Sequence, residues 1–104
     1  MAVGSFRARI RLRSTEEGGR RSPIISPYRC PLNFEPWQSW RFNDGEVRLV
    51  GRDRCAPGEE CEATIILGAP DHVPVAVEPG VRFQLHEGWR VVGDGEVLAT
   101  PPPT

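Results

Sequence analysis

The sequence predicts an all-β domain, an antiparallel barrel or sandwich, and three observations carry that prediction. The run FRARIRLR, residues 6–13, alternates apolar residues and arginine without exception, which is the period of a strand with one buried face. Later segments are short, rich in β-branched residues and separated by turn-forming clusters. No window of a dozen residues carries a helical period without a glycine or proline breaking it.

In the first strand Phe6, Ala8, Ile10 and Leu12 point one way and Arg7, Arg9, Arg11 and Arg13 the other. The arginine face reads as solvated cover, because long arginine stems also shield a sheet. Residues 14–23 are loop by composition: Gly18 and Gly19 admit positive φ, and Pro23 discourages helix. Further strands are expected over 46–50, 61–67, 73–78, 81–85 and 89–98, with NDG, APGEE, GAPDH and EPG between them as turns or loops. Closure into a barrel would leave no exposed strand edge.

Two segments fit less easily. PLNFEPWQSWRF, residues 31–42, gathers Phe34, Trp37, Trp40 and Phe42, while Pro36 interrupts any central strand. These aromatics divide between core packing and, for a tryptophan, stacking on a base or docking on a partner protein. The end ATPPPT lacks donors at its prolines and is expected to lie extended and mobile. The expected organisation is one domain over residues 1–98 and a Pro-rich tail over 99–104.

A chain of 104 residues, 38% hydrophobic, can bury one modest core. No apolar run approaches the roughly 20 residues of a membrane helix, and MAVGSF lacks the pattern of a secretory signal. A soluble, cytoplasmic protein is expected. Residues 1–54 hold 11 arginines against six acids, and residues 55–104 hold two against eight. The net charge is −1, so general affinity for nucleic acid does not follow, but the asymmetry points to a basic patch. Three cysteines, Cys30, Cys55 and Cys61, are an odd number and read as reduced thiols, although Cys55 and Cys61 bracket a turn across which they can approach and oxidise. Their spacing suits a zinc site poorly.

The sequence contains no phosphate-binding GxxxxGK[ST], and Gly93 and Gly95 in VVGDGEVL lack the rest of a dinucleotide fingerprint. No nucleophile, base and orienting group stand in a recognisable pattern. Catalysis, GTP binding and a cofactor are therefore not expected. A binding surface is what remains, with Arg20 and Arg21 best placed on a loop to clamp phosphates.

The order of motifs resembles the C-terminal β-barrel, the third domain, of bacterial elongation factor Tu and related translational GTPases. The resemblance runs from FRARIRLR through TEEGGRRSPIISPYRCP and the PGEE turn to PVAVEPGVRFQLHEGWRVVGDGEV. The EEGGR loop followed by GxRFxxxEGxRxVGxG is its specific part. It implies a closed six-stranded antiparallel barrel. In the complete factors a GTPase domain and a second barrel precede this domain, and all three act on aminoacyl-tRNA; the third grips the T-stem backbone and packs on the GTPase domain and the exchange factor. Neither preceding domain is in this sequence.

The resemblance assigns RNA contacts to Arg20, to Arg21 where the family commonly has histidine, to Arg29 of the YRP motif, and to Glu87 and Gly88 at the last hairpin. The chain departs from the family at Cys30, an insertion, at Leu32 in place of an RNA-contacting glutamine, and at Val73 in place of a frequent lysine. Trp89 replaces a glycine and Asp94 a small residue. Each lost phosphate contact weakens binding and flattens its salt dependence. Two functions follow: a non-catalytic module contacting tRNA or another structured RNA, or a protein-interaction module docking on a translational GTPase or other protein through Trp37, Trp40 and Trp89.

Overall fold

The computed structural model describes residues 3–37 and 42–103. Trp40, one of the tryptophans expected at a partner surface, lies outside the described residues. The described residues form eight strands: β1 (Ser5–Leu12), β2 (Ile24–Ile25), β3 (Tyr28–Phe34), β4 (Asn43–Leu49), β5 (Arg54–Cys55), β6 (Glu60–Leu67), β7 (Arg82–Glu87) and β8 (Arg90–Ala99). Six close into a barrel in the order β1-β6-β4-β3-β7-β8, every neighbour antiparallel. Strands β2 and β5 pair separately beside it. The closed six-stranded antiparallel barrel expected from the family resemblance is what the chain forms.

Alternation does the sorting. Phe6, Ala8, Ile10 and Leu12 are all buried on the barrel interior, where Phe6, Phe34 and Phe83 pack with ring centroids 5.6 to 6.3 Å apart. Burial of each large apolar side chain contributes about 1.5 to 3 kcal/mol. Gly95 on β8 makes room for this cluster, because a Cβ there would lie 2.3 Å from the Phe83 ring.

The arginine face is neutralised within the sheet. Strand β1 lies between β6 and β8, so Arg7 meets Glu62 at 2.8 Å, Arg9 meets Glu60 and Glu96 at 3.6 and 3.5 Å, and Arg13 grips Asp94 through two nitrogens at 3.0 and 3.1 Å. The basic first half and acidic second half of the sequence are thus interleaved as neighbouring strands, with opposite charges on direct and diagonal cross-strand positions.

Four expectations need correction. Residues 28–34, not among the expected strands, form β3, which ends before Pro36; it tolerates Pro31 because β3 pairs with β7 only from Leu32 onward and leaves one side of Pro31 without a ladder to supply. NDG is not a turn: Asn43, Asp44 and Gly45 begin β4, and Gly45 is needed because a Cβ would lie 2.6 Å from Leu32. Residues 73–78 form no strand. After a 3-10 turn at Pro70–His72 they cross from β6 to β7, and Val73, Val75 and Val77 pack on the core in strand-like alternation without a partner ladder. Finally, Cys55 and Cys61 are not free thiols but a disulfide, with Cα atoms 6.6 Å apart, and both are buried. Cys30 is the free cysteine, and burial pushes its thiol up to about 12. No helix among the described residues is long and apolar enough to cross a membrane.

Candidate nucleic-acid interface

At one end of the barrel the loop after β1 meets the hairpin that joins β7 to β8. The loop is built by its own polar groups. Ser14 N–H donates to the Glu17 carboxylate at 2.8 Å, and Glu17 N–H donates back to Ser14 Oγ at 3.2 Å. Arg11 adds an ion pair to Glu17 at 2.8 Å. The Ser14 amide, followed by the Arg11 guanidinium, holds the Glu17 carboxyl down at about 2. Gly18 takes φ +91°, and Gly19 is required for a different reason: a Cβ there would lie 2.1 Å from the Arg13 carbonyl oxygen. This folded loop delivers Arg20 and Arg21 to the barrel end.

Arg20 is turned back onto the barrel. Its guanidinium pairs with the Glu87 carboxylate, lies 5.3 Å over the Tyr28 ring, and donates from Nε to the Ser22 carbonyl at 3.2 Å. The Tyr28 hydroxyl donates to the same Glu87 carboxylate at 2.5 Å, and Arg90 approaches it at 3.6 Å. Partial burial alone would raise the Glu87 carboxyl, but the Tyr28 hydroxyl and Arg20 guanidinium outweigh it and hold the group below the usual carboxylate range. Burial, and then the bond to Glu87, push the Tyr28 hydroxyl up. Arg21, the next residue, is exposed and has no carboxylate partner among the described residues.

The hairpin turns through Gly88 and Trp89. Gly88 has φ +60° and Trp89 does not enter positive φ, the sign pattern of a type II′ turn with glycine first. Trp89 is 81% exposed. Phe42 packs beside it with centroids 5.8 Å apart and over the His86 ring at 4.7 Å. Burial, with a smaller contribution from Arg13, lowers the proton affinity of His86.

The structure therefore brings Arg20, Glu87 and Gly88 together, with Arg21 and Trp89 adjacent. Arg29 is elsewhere: it points outward from β3, is 85% exposed, and approaches Glu46 at 3.3 Å, a carboxylate that Arg48 also holds at 2.6 Å. A cleft of about 550 Å³ on this outer wall is lined by Arg29, Asp44, Arg48 and Gly68. Trp37 is 45% exposed, on the chain leading away from β3. Sequence reasoning missed Tyr28 and Arg90 as members of the site. The signal for Tyr28 was its place in the YR pair, where its ring and hydroxyl organise the Arg20 and Glu87 charges. Among the described residues no group of three His, Cys, Asp or Glu side chains is placed to hold a metal.

Comparison with protein-family models matches residues 1–100 to the elongation factor Tu C-terminal domain. The match spans the barrel, the arginine loop and the last hairpin, and it includes no GTPase domain.

Proposed function

The chain belongs to the elongation factor Tu C-terminal domain family, a module related to translation factors, and from that premise we propose that it contacts structured RNA, tRNA being the foremost candidate, through the Arg20–Arg21 loop and the Glu87–Gly88 hairpin. One observation carries the reading. The arginines of β1 and the following Arg13 are cancelled by acids on β6, β8 and the loop after β1, whereas Arg21 is exposed, with no carboxylate partner among the described residues, on a loop that Arg20 and Glu87 hold in place. On that loop Arg21 is free to meet a phosphate. Arg20 shapes the loop, and its remaining donors are available to a backbone oxygen. Arg29 extends the surface along β3 as a second, weaker contact, because Glu46 already competes for it. In this reading the site binds without catalysis and the protein works in the cytoplasm, a reading supported by its membership in a translation-factor domain family.

The test is a titration with bulk tRNA at low and near-physiological salt. The native protein is expected to bind, with affinity falling as salt rises. Arg21→Ala should weaken binding across RNA sequences and reduce the salt slope by about one. Binding indifferent to salt and to Arg21→Ala would refute the assignment.

A second reading, docking on a translational GTPase or another protein, draws on the β2–β5 sheet. Ile25 is 52% exposed there and Val50, leading toward β5, is 37% exposed. Co-purification of a protein that is lost on Ile25→Asp, with no affinity for tRNA, would favour it.

A further inference from the structure

We propose that Trp89 is a stacking platform for an unpaired nucleotide, so that the preferred ligand is an RNA with a free base at a helix end or junction and not a continuous duplex. The inference rests on the RNA-contact reading above and adds the class of RNA that the site selects.

Trp89 occupies the tip of a two-residue turn with 81% of its surface in solvent, so its core contacts do not account for it. Among the described residues its ring neighbour is Phe42, 5.8 Å away with planes at 65°. That contact steadies the indole edge-on and leaves ring surface open. Phe42 is in turn seated on the buried His86, so the platform is anchored through two rings to β7.

The surroundings favour a nucleotide over an apolar partner. Glu87 and Arg90 flank the turn directly, and Arg20 and Arg90 both converge on the Glu87 carboxylate. Two guanidiniums thus stand against that one carboxylate at this hairpin, and the exposed Arg21 follows Arg20 in the chain, a local excess of positive charge suited to phosphate. An aromatic face inside a charged rim matches a base followed by its phosphate. In an A-form helix the base faces are occupied by their stacked neighbours, whereas a splayed base offers its face to an aromatic side chain. Stacking of one base on an aromatic side chain is worth about 5- to 150-fold in affinity.

Two RNAs test this: one fully paired, blunt-ended two-strand stem, and the same stem with a four-adenosine 3′ extension, each labelled and titrated by fluorescence anisotropy with the native protein, Trp89→Gly and Arg21→Ala. The native protein should bind the extended RNA at least about 5-fold more tightly. Trp89→Gly should bind both RNAs alike, at the native affinity for the blunt stem, and Arg21→Ala should weaken both by a similar factor. Equal native affinity for the two RNAs, or a preference that survives in Trp89→Gly, would overturn the inference while leaving the RNA-contact reading intact. Failure of both RNAs to bind at low salt would overturn both. Circular dichroism of Trp89→Gly, whose substitution is at an exposed turn, separates a lost preference from a lost fold.

Discussion

Arg20 and Glu87, 67 residues apart in sequence, form an ion pair that ties the loop after β1 to the hairpin between β7 and β8. Tyr28 completes the arrangement by donating to the same carboxylate at 2.5 Å. The pair is three-quarters or so shielded from solvent, with side-chain exposures of 22% and 29%, so removal of one partner leaves the other charge poorly solvated.

Arg20→Ala and Glu87→Gln are each expected to cost about 1 to 3 kcal/mol of folding stability, and the double variant less than their sum. A double-mutant cycle by urea denaturation checks this. The acid limb provides a second reading of the same pair. Because the Glu87 carboxyl titrates lower in the folded chain than in the unfolded one, its contribution is complete above about pH 4.5 and is lost as pH falls through the folded value. Glu87→Gln should therefore be less stable at neutral pH and show a flatter decline below pH 4.5.

His86 should resist protonation. Its folded proton affinity is lowered by burial beneath Phe42, so its contribution to stability is full above about pH 6.5 and declines as pH falls below that value. Phe42→Ala uncovers the ring, and the His86 titration followed by NMR should move back up toward 6.5. Arg13, just after β1, contributes the smaller part of the shift, so Arg13→Gln should move it by less.

Gly95→Ala should be strongly destabilising. The new methyl would meet the Phe83 ring at 2.3 Å in the middle of the phenylalanine cluster, and overpacking of this kind costs about 1 to 3 kcal/mol. Gly51→Ala is the control: nothing stands within 4 Å of its Cβ position, and its φ of +72° sets the cost of backbone strain alone. Thermal unfolding of the two variants separates the terms.

Reduction of the Cys55–Cys61 bridge should lower stability by about 2 kcal/mol, the entropy released in the unfolded chain by opening a loop this short. The sequence separation is six residues. Urea denaturation with and without dithiothreitol measures the difference, and Cys55→Ala with Cys61→Ala should match the reduced protein apart from the lost sulfur packing.

The all-β fold was legible because strands announce themselves by alternation: FRARIRLR could bury only one face, and the structure buries that face; the choice of a closed barrel over a sandwich came with the family resemblance. The same logic overreached at residues 73–78, where alternating valines cover the core but have no neighbouring backbone to pair with. It fell short at residues 28–34, where no strand was expected, although Pro31 is tolerated there because one flank of β3 is unpaired beside it. The candidate site was half legible. Arg20, Arg21, Glu87 and Gly88 followed from motif order, but an ion pair spanning 67 residues is a property of closure that local spacing cannot show. Nor does local spacing show that Arg9 would be offset by Glu60 and Glu96, since those neighbours arrive only when β6 and β8 flank β1. The disulfide belongs to the same class: two cysteines bracketing a turn were visible, and their pairing depended on how β5 approaches β6.

Mapping the RNA surface by backbone amide NMR during a titration with tRNA tests the central claim most directly. The account predicts shifts concentrated at residues 20–22 and 87–90, a lesser set around Arg29, and a quiet β2–β5 sheet. Shifts centred on Ile25, Val50 and Arg54 with the loop and hairpin unmoved, or none at low salt, would contradict it.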